Sequence, residues 1–353
     1  MLTQYKQNHS TIPGPTELPH ETIDKGVITE PNHIVFCCNT PFIRHVAVTV
    51  TSLLTNNSCR SFVVHLIVSD NNACELSKLR QTLRKFPNAD LKIYEFDVDQ
   101  QRTFFTDRHI TAESYMRLYI ADILDEHIRR VIYLDGDLVV CGNIDALCDL
   151  ELNGALLAAV PDSNDAWRRE MLNLTGSNHY VNAGMLVLDL DRWRRERCRT
   201  QIDAILDAYG DQLYFHDQDV LNILANGRIL ELGREWNFNV WRMRAYFAFD
   251  YSDIKRFAPL RNHAKIIHFG DYEKPWRFAA VVPLRGLYWH YQRQTAWPSR
   301  SEKSQLLSRA GLFPLKLLLN ACYINPVNAL DKISCSIKSI FQRLGWQLSR
   351  SAC

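Results

Sequence analysis

The stretch RRVIYLDGDLVV, Arg129 to Val140, places two aspartates in the middle of an apolar run. A carboxylate in such surroundings is costly unless something pairs with it. Three arrangements can provide the pairing: a turn at a strand end, a covalent nucleophile, or a metal site. The flanking residues are those of a strand buried on both faces, which is how the strands of a parallel sheet read. Asp135 and Asp137 then fall at its carboxyl end, where open α/β sheets bind their ligands.

Working outward, the same pattern repeats. IVFCC (Ile34–Cys38), FVVHLIVSD (Phe62–Asp70) and LKIYEFDVD (Leu91–Asp99) read as strands, and VIYLDGDLVV as the fourth. Between them lie helical periodicities: FIRHVAVTVTSLL (Phe42–Leu54), CELSKLRQTLRKF (Cys74–Phe86, stopped by Pro87) and SYMRLYIADIL (Ser114–Leu124). Strand alternating with helix predicts a mainly parallel sheet covered on both faces. Further on, ALLAAV ends in Pro161-Asp162, MLVLDL leads into a basic helix DRWRRERCRTQI, DQDVLNIL (Asp217–Leu224) reads as a helix with an acidic first turn, and KIIHF (Lys265–Phe269) is a late strand. No GxGxxG follows the first strand and no GxxxxGK[ST] occurs, so the usual dinucleotide and P-loop readings lack their motif.

The chain has 353 residues, 46% of them apolar and 23% charged, as in an ordinary globular protein. A formal net charge of +2 gives no case for nucleic acid as a partner. The ten cysteines are scattered without a CxxC pair, which argues against a zinc ribbon and reads as buried thiols in a reducing cytosol. No apolar leader precedes the polar, proline-rich start, and LFPLKLLLNACYI is too short and interrupted to span a bilayer. Residues 1–31 read as a flexible arm, 32–280 as the α/β unit and 281–353 as a helical, basic extension. In that extension Ile333, Ile337, Ile340, Phe341, Leu344 and Leu348 recur at helical spacing, flanked by Lys338, Arg343 and Trp346. Such a helix suits an anionic membrane surface or docking on the catalytic unit.

Four constellations carry chemistry. Asp135-Gly136-Asp137 can share one hard divalent cation, Mg²⁺ or Mn²⁺; the same residues suit an Asp-Gly turn that caps amides. In HFGDYEKPW, His268 can add a third ligand and Lys274 can meet a phosphate; the alternative is a core histidine and a surface lysine beside a Pro-Trp corner. In YVNAGMLVLDL, the amide of Asn182 can bond sugar hydroxyls or a turn. In HDQDVLNIL, the acids and amide at Asp217, Gln218 and Asp219 exceed what helix capping needs.

The order IVFCCN, SYMRLYIADIL, YLDGDLVV, Pro161-Asp162, YVNAGMLVLDLDRW, HDQDVLN, IHFGDYEKPW resembles glycosyltransferase family 8, and in particular its bacterial lipopolysaccharide core galactosyl- and glucosyltransferases. The resemblance implies a GT-A nucleotide-diphospho-sugar transferase fold: a Rossmann-like mixed sheet flanked by helices. It implies a retaining hexosyltransferase that moves glucose or galactose from UDP-glucose or UDP-galactose to the lipopolysaccharide core, or to another glycan or glycolipid, at the inner face of the cytoplasmic membrane. Asp135, Asp137 and His268 would hold Mn²⁺ or Mg²⁺. Cys37, Asn39, Arg117, Asp135, Asn182, Ala183, Gly270 and Lys274 would bind the donor, with Lys274 on the diphosphate. Gln218, Asp162, Asp217 and Asp219 would face the reacting sugar, Gln218 nearest the anomeric carbon. Asn39 stands where the family usually has an acid for the uracil. Gly270 comes one place early, and Asp271 stands where glycine is usual, so the loop carrying it is expected to point outward.

Two rivals give other outcomes. A haloacid-dehalogenase-type phosphohydrolase uses the first aspartate of its DxD as nucleophile, but places it on the first strand. A non-catalytic sugar-nucleotide binder needs no ligand triad.

Overall fold

The computed structural model describes residues 16–17, 30–96, 112–162, 165–240, 263–270, 273–277 and 282–297. The strands are β1 (Thr16–Glu17), β2 (Asn32–Cys38), β3 (Phe62–Val68), β4 (Ala89–Glu95), β5 (Arg130–Leu134), β6 (Leu138–Val140), β7 (Leu157–Pro161), β8 (Val181–Asp189), β9 (Ile229–Glu231), β10 (Phe238–Asn239) and β11 (Ile266–His268). The helices are α1 (Ile43–Asn56), α2 (Ala73–Leu83), α3 (Ile120–Ile123), α4 (Asp145–Cys148), α5 (Asp165–Met171), α6 (Leu190–Arg195), α7 (Cys198–Tyr209) and α8 (His216–Leu224), followed by Arg285–Gln292.

Among the described residues the main sheet runs β1-β4-β3-β2-β5-β8-β7-β9. β2, β3, β4 and β5 pair in parallel, as the two-sided burial of β2, β3 and β5 predicts. The sheet is nonetheless mixed, because β8 lies antiparallel to both β5 and β7. One core fills the face covered by α1 and α2, centred on Ile34, Phe36, Val46, Leu66 and Leu79. The other fills the face covered by α3, α6, α7 and α8, centred on Tyr115, Leu188, Trp193 and Leu221.

The stretch RRVIYLDGDLVV forms two strands, not one. β5 ends at Leu134 inside the main sheet, while β6 belongs to a second sheet of order β10-β11-β6. Asp135-Gly136-Asp137 is the crossing between them. β6 and β11 pair antiparallel, with Leu138 opposite His268, so a histidine far along the chain is delivered beside the turn.

Three further expectations change. SYMRLYIADIL is a 3-10 helix over Ala112–Tyr119 with one α-turn after it. In 3-10 geometry residues three apart eclipse, and Arg117 Nε donates to the Ser114 carbonyl at 3.0 Å. The basic helix DRWRRERCRTQI is broken at Arg197, which takes a left-handed φ of 52°. Just before the break, Arg194 gives its donors to the carbonyls of Ala121, Leu124 and Ile128. Not every cysteine is buried: Cys59 and Cys74 stand exposed, and the described cysteines are free.

Residues 282–297 pack on the first two helices. Tyr288 and His45 share a hydrogen bond of 2.7 Å, Asn56 donates to the Tyr291 hydroxyl at 2.8 Å, and the Trp297 indole donates to Glu75 at 2.7 Å. The amphipathic stretch Ile333–Leu348 and, apart from residues 16–17 and 30–31, the N-terminal arm lie outside the described residues. No helix among the described residues is long and apolar enough to cross a membrane.

Candidate active site

Asp135, Asp137 and His268 offer one ligand atom each within 4.8 Å of one another. His268 Nε2 stands 3.3 Å from Asp137 and 3.8 Å from Asp135. The imidazole is held in place by close approach. A Cβ on Gly184 would come within 2.3 Å of His268 Cε1, and one on Gly270 within 2.7 Å of both Cε1 and Nε2, so these two positions take glycine because the ring lies against them.

The protonation of that ring can be worked out from the backbone. The Gly184 N–H donates to Asn182 Oδ1 at 3.0 Å, which identifies that atom as the amide oxygen. Asn237 Nδ2 donates to the same oxygen at 2.8 Å, so Asn237 turns its own oxygen toward His268 Nδ1, 2.8 Å away. Nδ1 must therefore carry a hydrogen, which leaves Nε2, facing the two carboxylates, as the nitrogen able to give a lone pair to a cation. That is the orientation of a metal-ligating histidine. Two carboxylates and a bare imidazole nitrogen fit a divalent cation. A stand-in positive charge is already there: Lys274 Nζ donates to Asp137 at 2.6 Å and to the Phe269 carbonyl at 3.0 Å. Burial pushes the Asp137 carboxyl up, but Lys274 and His268 outweigh it and hold Asp137 well below the usual carboxylate range.

Arg117 connects the cluster to α8. Its guanidinium lies 3.0 Å from both Asp135 and Asp217, donates to the Ala183 carbonyl at 2.8 Å, and sits over the Tyr133 ring. Burial works against its charge; Asp135 and Asp217 overcome that and keep it protonated. Asp217 is pushed up to about 6, chiefly by burial, with Arg117 opposing and Asp135 adding to the rise. The Cys37 thiol beside them is also pushed up, by burial first.

Asn182 joins this cluster to the rest of α8. Its Nδ2 donates to Asp162 at 2.9 Å and to Gln218 Oε1 at 3.1 Å, an oxygen that also accepts from the Ala183 N–H at 3.0 Å. Gln218 Nε2 donates to the Tyr180 hydroxyl at 3.1 Å, which in turn donates to Asp219 at 2.6 Å. Asp219 is fully buried. It accepts from Arg168 at 2.8 and 2.5 Å and from the Phe215 N–H at 2.7 Å. Asp162, Asn182, Ala183, Gln218, Asp217, Arg117, Asp135, Asp137, His268, Gly270 and Lys274 are thus brought to one end of the main sheet. Asn39 follows β2 at the same end, where its side chain makes no capping bond. Asp271 lies outside the described residues.

Sequence reasoning passed over Asn237, Tyr180, Arg168 and Gly184. A lone asparagine in EWNFN carries no pattern. Tyr180 and Gly184 sit inside YVNAGMLVLDL, and the glycine directly after Asn182-Ala183 was the available signal. Arg168 reads as a surface residue of a short charged helix; its burial follows only from the tertiary position of Asp219.

The chain matches the protein family described as glycosyl transferase family 8 over residues 33–280. General stress protein A of Bacillus subtilis (strain 168) is 30% identical over 270 residues, which cover 75% of this chain and 94% of that protein. The lipopolysaccharide 1,2-glucosyltransferase of Escherichia coli (strain K12) is 24% identical over 274 residues, 77% of this chain and 80% of the relative. Among solved structures, the galactosyltransferase LgtC in complex with donor and acceptor sugar analogs aligns with a TM-score of 0.65 at 19% identity, over 77% of this chain and 99% of that one. At that identity the likeness is one of fold, and the fold is GT-A.

Proposed function

The chain belongs to glycosyl transferase family 8, and on that premise we propose that it is a retaining hexosyltransferase that moves glucose or galactose from a UDP-sugar to the lipopolysaccharide core oligosaccharide. The observation that carries the reading is the cluster of Asp135, Asp137 and the bare Nε2 of His268 at the end of a GT-A sheet. The acceptor class is supported by the lipopolysaccharide glucosyltransferase among its relatives. The runner-up is a family 8 transferase acting on another glycan or glycolipid, favoured by the closer match to General stress protein A, whose name carries no lipopolysaccharide.

The residues divide the work as follows. Asp135, Asp137 and His268 would hold Mn²⁺ or Mg²⁺, which would supply positive charge against the leaving diphosphate. Lys274 exchanges Asp137 for the diphosphate and stabilises the same charge from the protein side. Cys37 and Asn39 lie at the donor's nucleoside. Arg117 keeps Asp135 and Asp217 in fixed relation. Asp162, Asp217, Asn182 and Ala183 orient the hexose, and Gly270 lets the diphosphate approach. Gln218 faces the anomeric carbon. Its oxygen already accepts two hydrogen bonds, which makes it a poor nucleophile. Attack by the acceptor hydroxyl on the same face as the departing phosphate therefore fits better than a covalent intermediate. Asp219, fully buried and fully bonded, serves as an anchor for Tyr180 and Arg168. The basic sequence pattern of Ile333–Leu348 suits contact with the inner face of the cytoplasmic membrane or docking on the catalytic unit.

The test is a screen of UDP-hexoses with Mn²⁺ or Mg²⁺, scored by UDP release with and without truncated lipopolysaccharide acceptors. Acceptor-stimulated release from UDP-glucose or UDP-galactose supports the proposal. Release confined to other glycans selects the runner-up, and a trapped glycosyl adduct on Asp162 overturns the one-step mechanism.

A further inference from the structure

Among the described residues, three large apolar side chains stand exposed: Trp167 at 41%, Met171 at 65% and Tyr214 at 57%. They are neighbours. Trp167 and Met171 lie four apart on α5, hence on one face. Trp167 meets Tyr214 edge-on with 5.6 Å between ring centroids, and Phe215 completes the group at 5.9 Å from Trp167 and 4.8 Å from Tyr214. Single exposed apolar residues need no explanation, but a contiguous group usually marks a binding surface.

This group is continuous with the active site. The Phe215 ring lies 6.3 Å from that of Tyr180, whose hydroxyl accepts from Gln218. An aromatic path therefore leads from the Gln218 amide to the surface. Polar ties fix the group from beneath: Arg168, next to Trp167, grips Asp219, and the Phe215 N–H donates to that same carboxylate. Chain order says the same. α5 begins three residues after Asp162, and Tyr214-Phe215 come immediately before the start of α8, which carries Asp217 and Gln218.

A transferase needs a place for its second substrate beside the donor sugar. A pyranose offers a flat face of C–H groups and a rim of hydroxyls. Fixed aromatic rings complement the face at little entropy cost, because each has only two side-chain torsions. We propose that Trp167 and Tyr214 form the platform on which the sugar ring of the acceptor glycan lies, with Phe215 as its inner wall. The inference rests on the glycosyltransferase reading above and adds to it the residues that receive the acceptor.

The experiment uses the full chain and a delipidated truncated core oligosaccharide as the probe. Steady-state transfer is measured for the native protein and for Trp167→Ala, Tyr214→Ala and the conservative Trp167→Phe. The expected result is a rise of about tenfold in the oligosaccharide KM for each alanine variant, a donor KM within about twofold of native, and recovery of most of the loss in Trp167→Phe. A native protein that transfers normally while both alanine variants keep its oligosaccharide KM overturns the platform. So does an unchanged KM accompanied by lost pelleting with phosphatidylglycerol vesicles, which would assign the patch to lipid, or by a change from dimer to monomer in light scattering, which would assign it to a second copy. A native protein inert with every UDP-hexose and glycan sinks the underlying reading instead. Tyr214, the more exposed of the two, keeps the test open if Trp167→Ala fails to fold.

Discussion

Replacing Asn237 with alanine tests the derivation of the His268 tautomer. Asn237 is 6% exposed. It is linked to the ligand set through the 2.8 Å bond from His268 Nδ1. Without that acceptor two effects follow. The ring hydrogen is free to move to Nε2; if the tautomers then share the population equally, the competent fraction halves, worth about 0.4 kcal/mol. The ring also loses the bond that fixes its rotation, and loss of such an outer partner weakens metal binding by roughly 10- to 100-fold, about 1.4–2.7 kcal/mol. The assay is titration of the protein with Mn²⁺ in the absence of any sugar nucleotide, reading free Mn²⁺ by electron paramagnetic resonance. The expected outcome is a dissociation constant at least tenfold higher, and, in the metal-free native protein, imidazole ¹⁵N shifts that place a hydrogen on Nδ1. Asn237→Asp, which keeps an acceptor for Nδ1–H, should retain more affinity than Asn237→Ala. A folded Asn237→Ala protein that binds Mn²⁺ as tightly as native, or a native ring without a hydrogen on Nδ1, overturns the assignment.

Other outcomes follow from the same geometry. Arg168→Leu leaves the Asp219 carboxylate buried without its partner and should lower the unfolding free energy by about 3–5 kcal/mol in a denaturant titration; a loss below about 1 kcal/mol counts against a buried pair. Gly184→Ala should expel the His268 ring and abolish tight Mn²⁺ binding while the protein stays folded, since overpacking alone costs about 1–3 kcal/mol. The Asp217 carboxyl is raised from 3.8 to about 6. Between those values the folded state holds more protons than the unfolded chain, so this residue makes stability fall as pH rises from about 4 to about 6. The full shift corresponds to about 3 kcal/mol at neutral pH. Asp217→Asn should therefore gain stability relative to native at pH 7.5, lose most of that gain at pH 4, and lose transfer activity; a gain that grows toward acid would reverse the assignment. Deleting Pro326–Cys353 should abolish pelleting with anionic vesicles and leave donor KM unchanged, whereas undiminished pelleting removes the tail from the membrane.

The repeated strands and helices were readable because strands buried on both faces read as continuous apolar runs, and β2 and β3 are such strands. RRVIYLDGDLVV misled for the same reason: both halves are buried, so nothing in the apolar pattern marks the point where the chain leaves one sheet for another. β8 is buried without alternation from Ala183 to Leu188, and its reversed direction leaves no trace in composition. The ligands Asp135 and Asp137 announce themselves as acids out of place, and His268 as a histidine at a strand end. Arg117 was reachable only through the family pattern, since an arginine in an amphipathic segment usually faces water. Asn237 and Arg168 were not reachable at all. Their roles depend on which acid or imidazole they meet, and that is decided by strand register and helix placement rather than by their neighbours in the chain.

The crossing at Asp135-Gly136-Asp137 has a thermodynamic side. One carboxylate follows a strand of the large sheet and the other precedes a strand of the small one, while the imidazole rides on the small sheet alone. An ion gripped by all three would rivet the seam between the two sheets. Loading should then slow amide hydrogen exchange in β6, β10 and β11 more than in β2 to β4, and ion depletion should loosen the small sheet first.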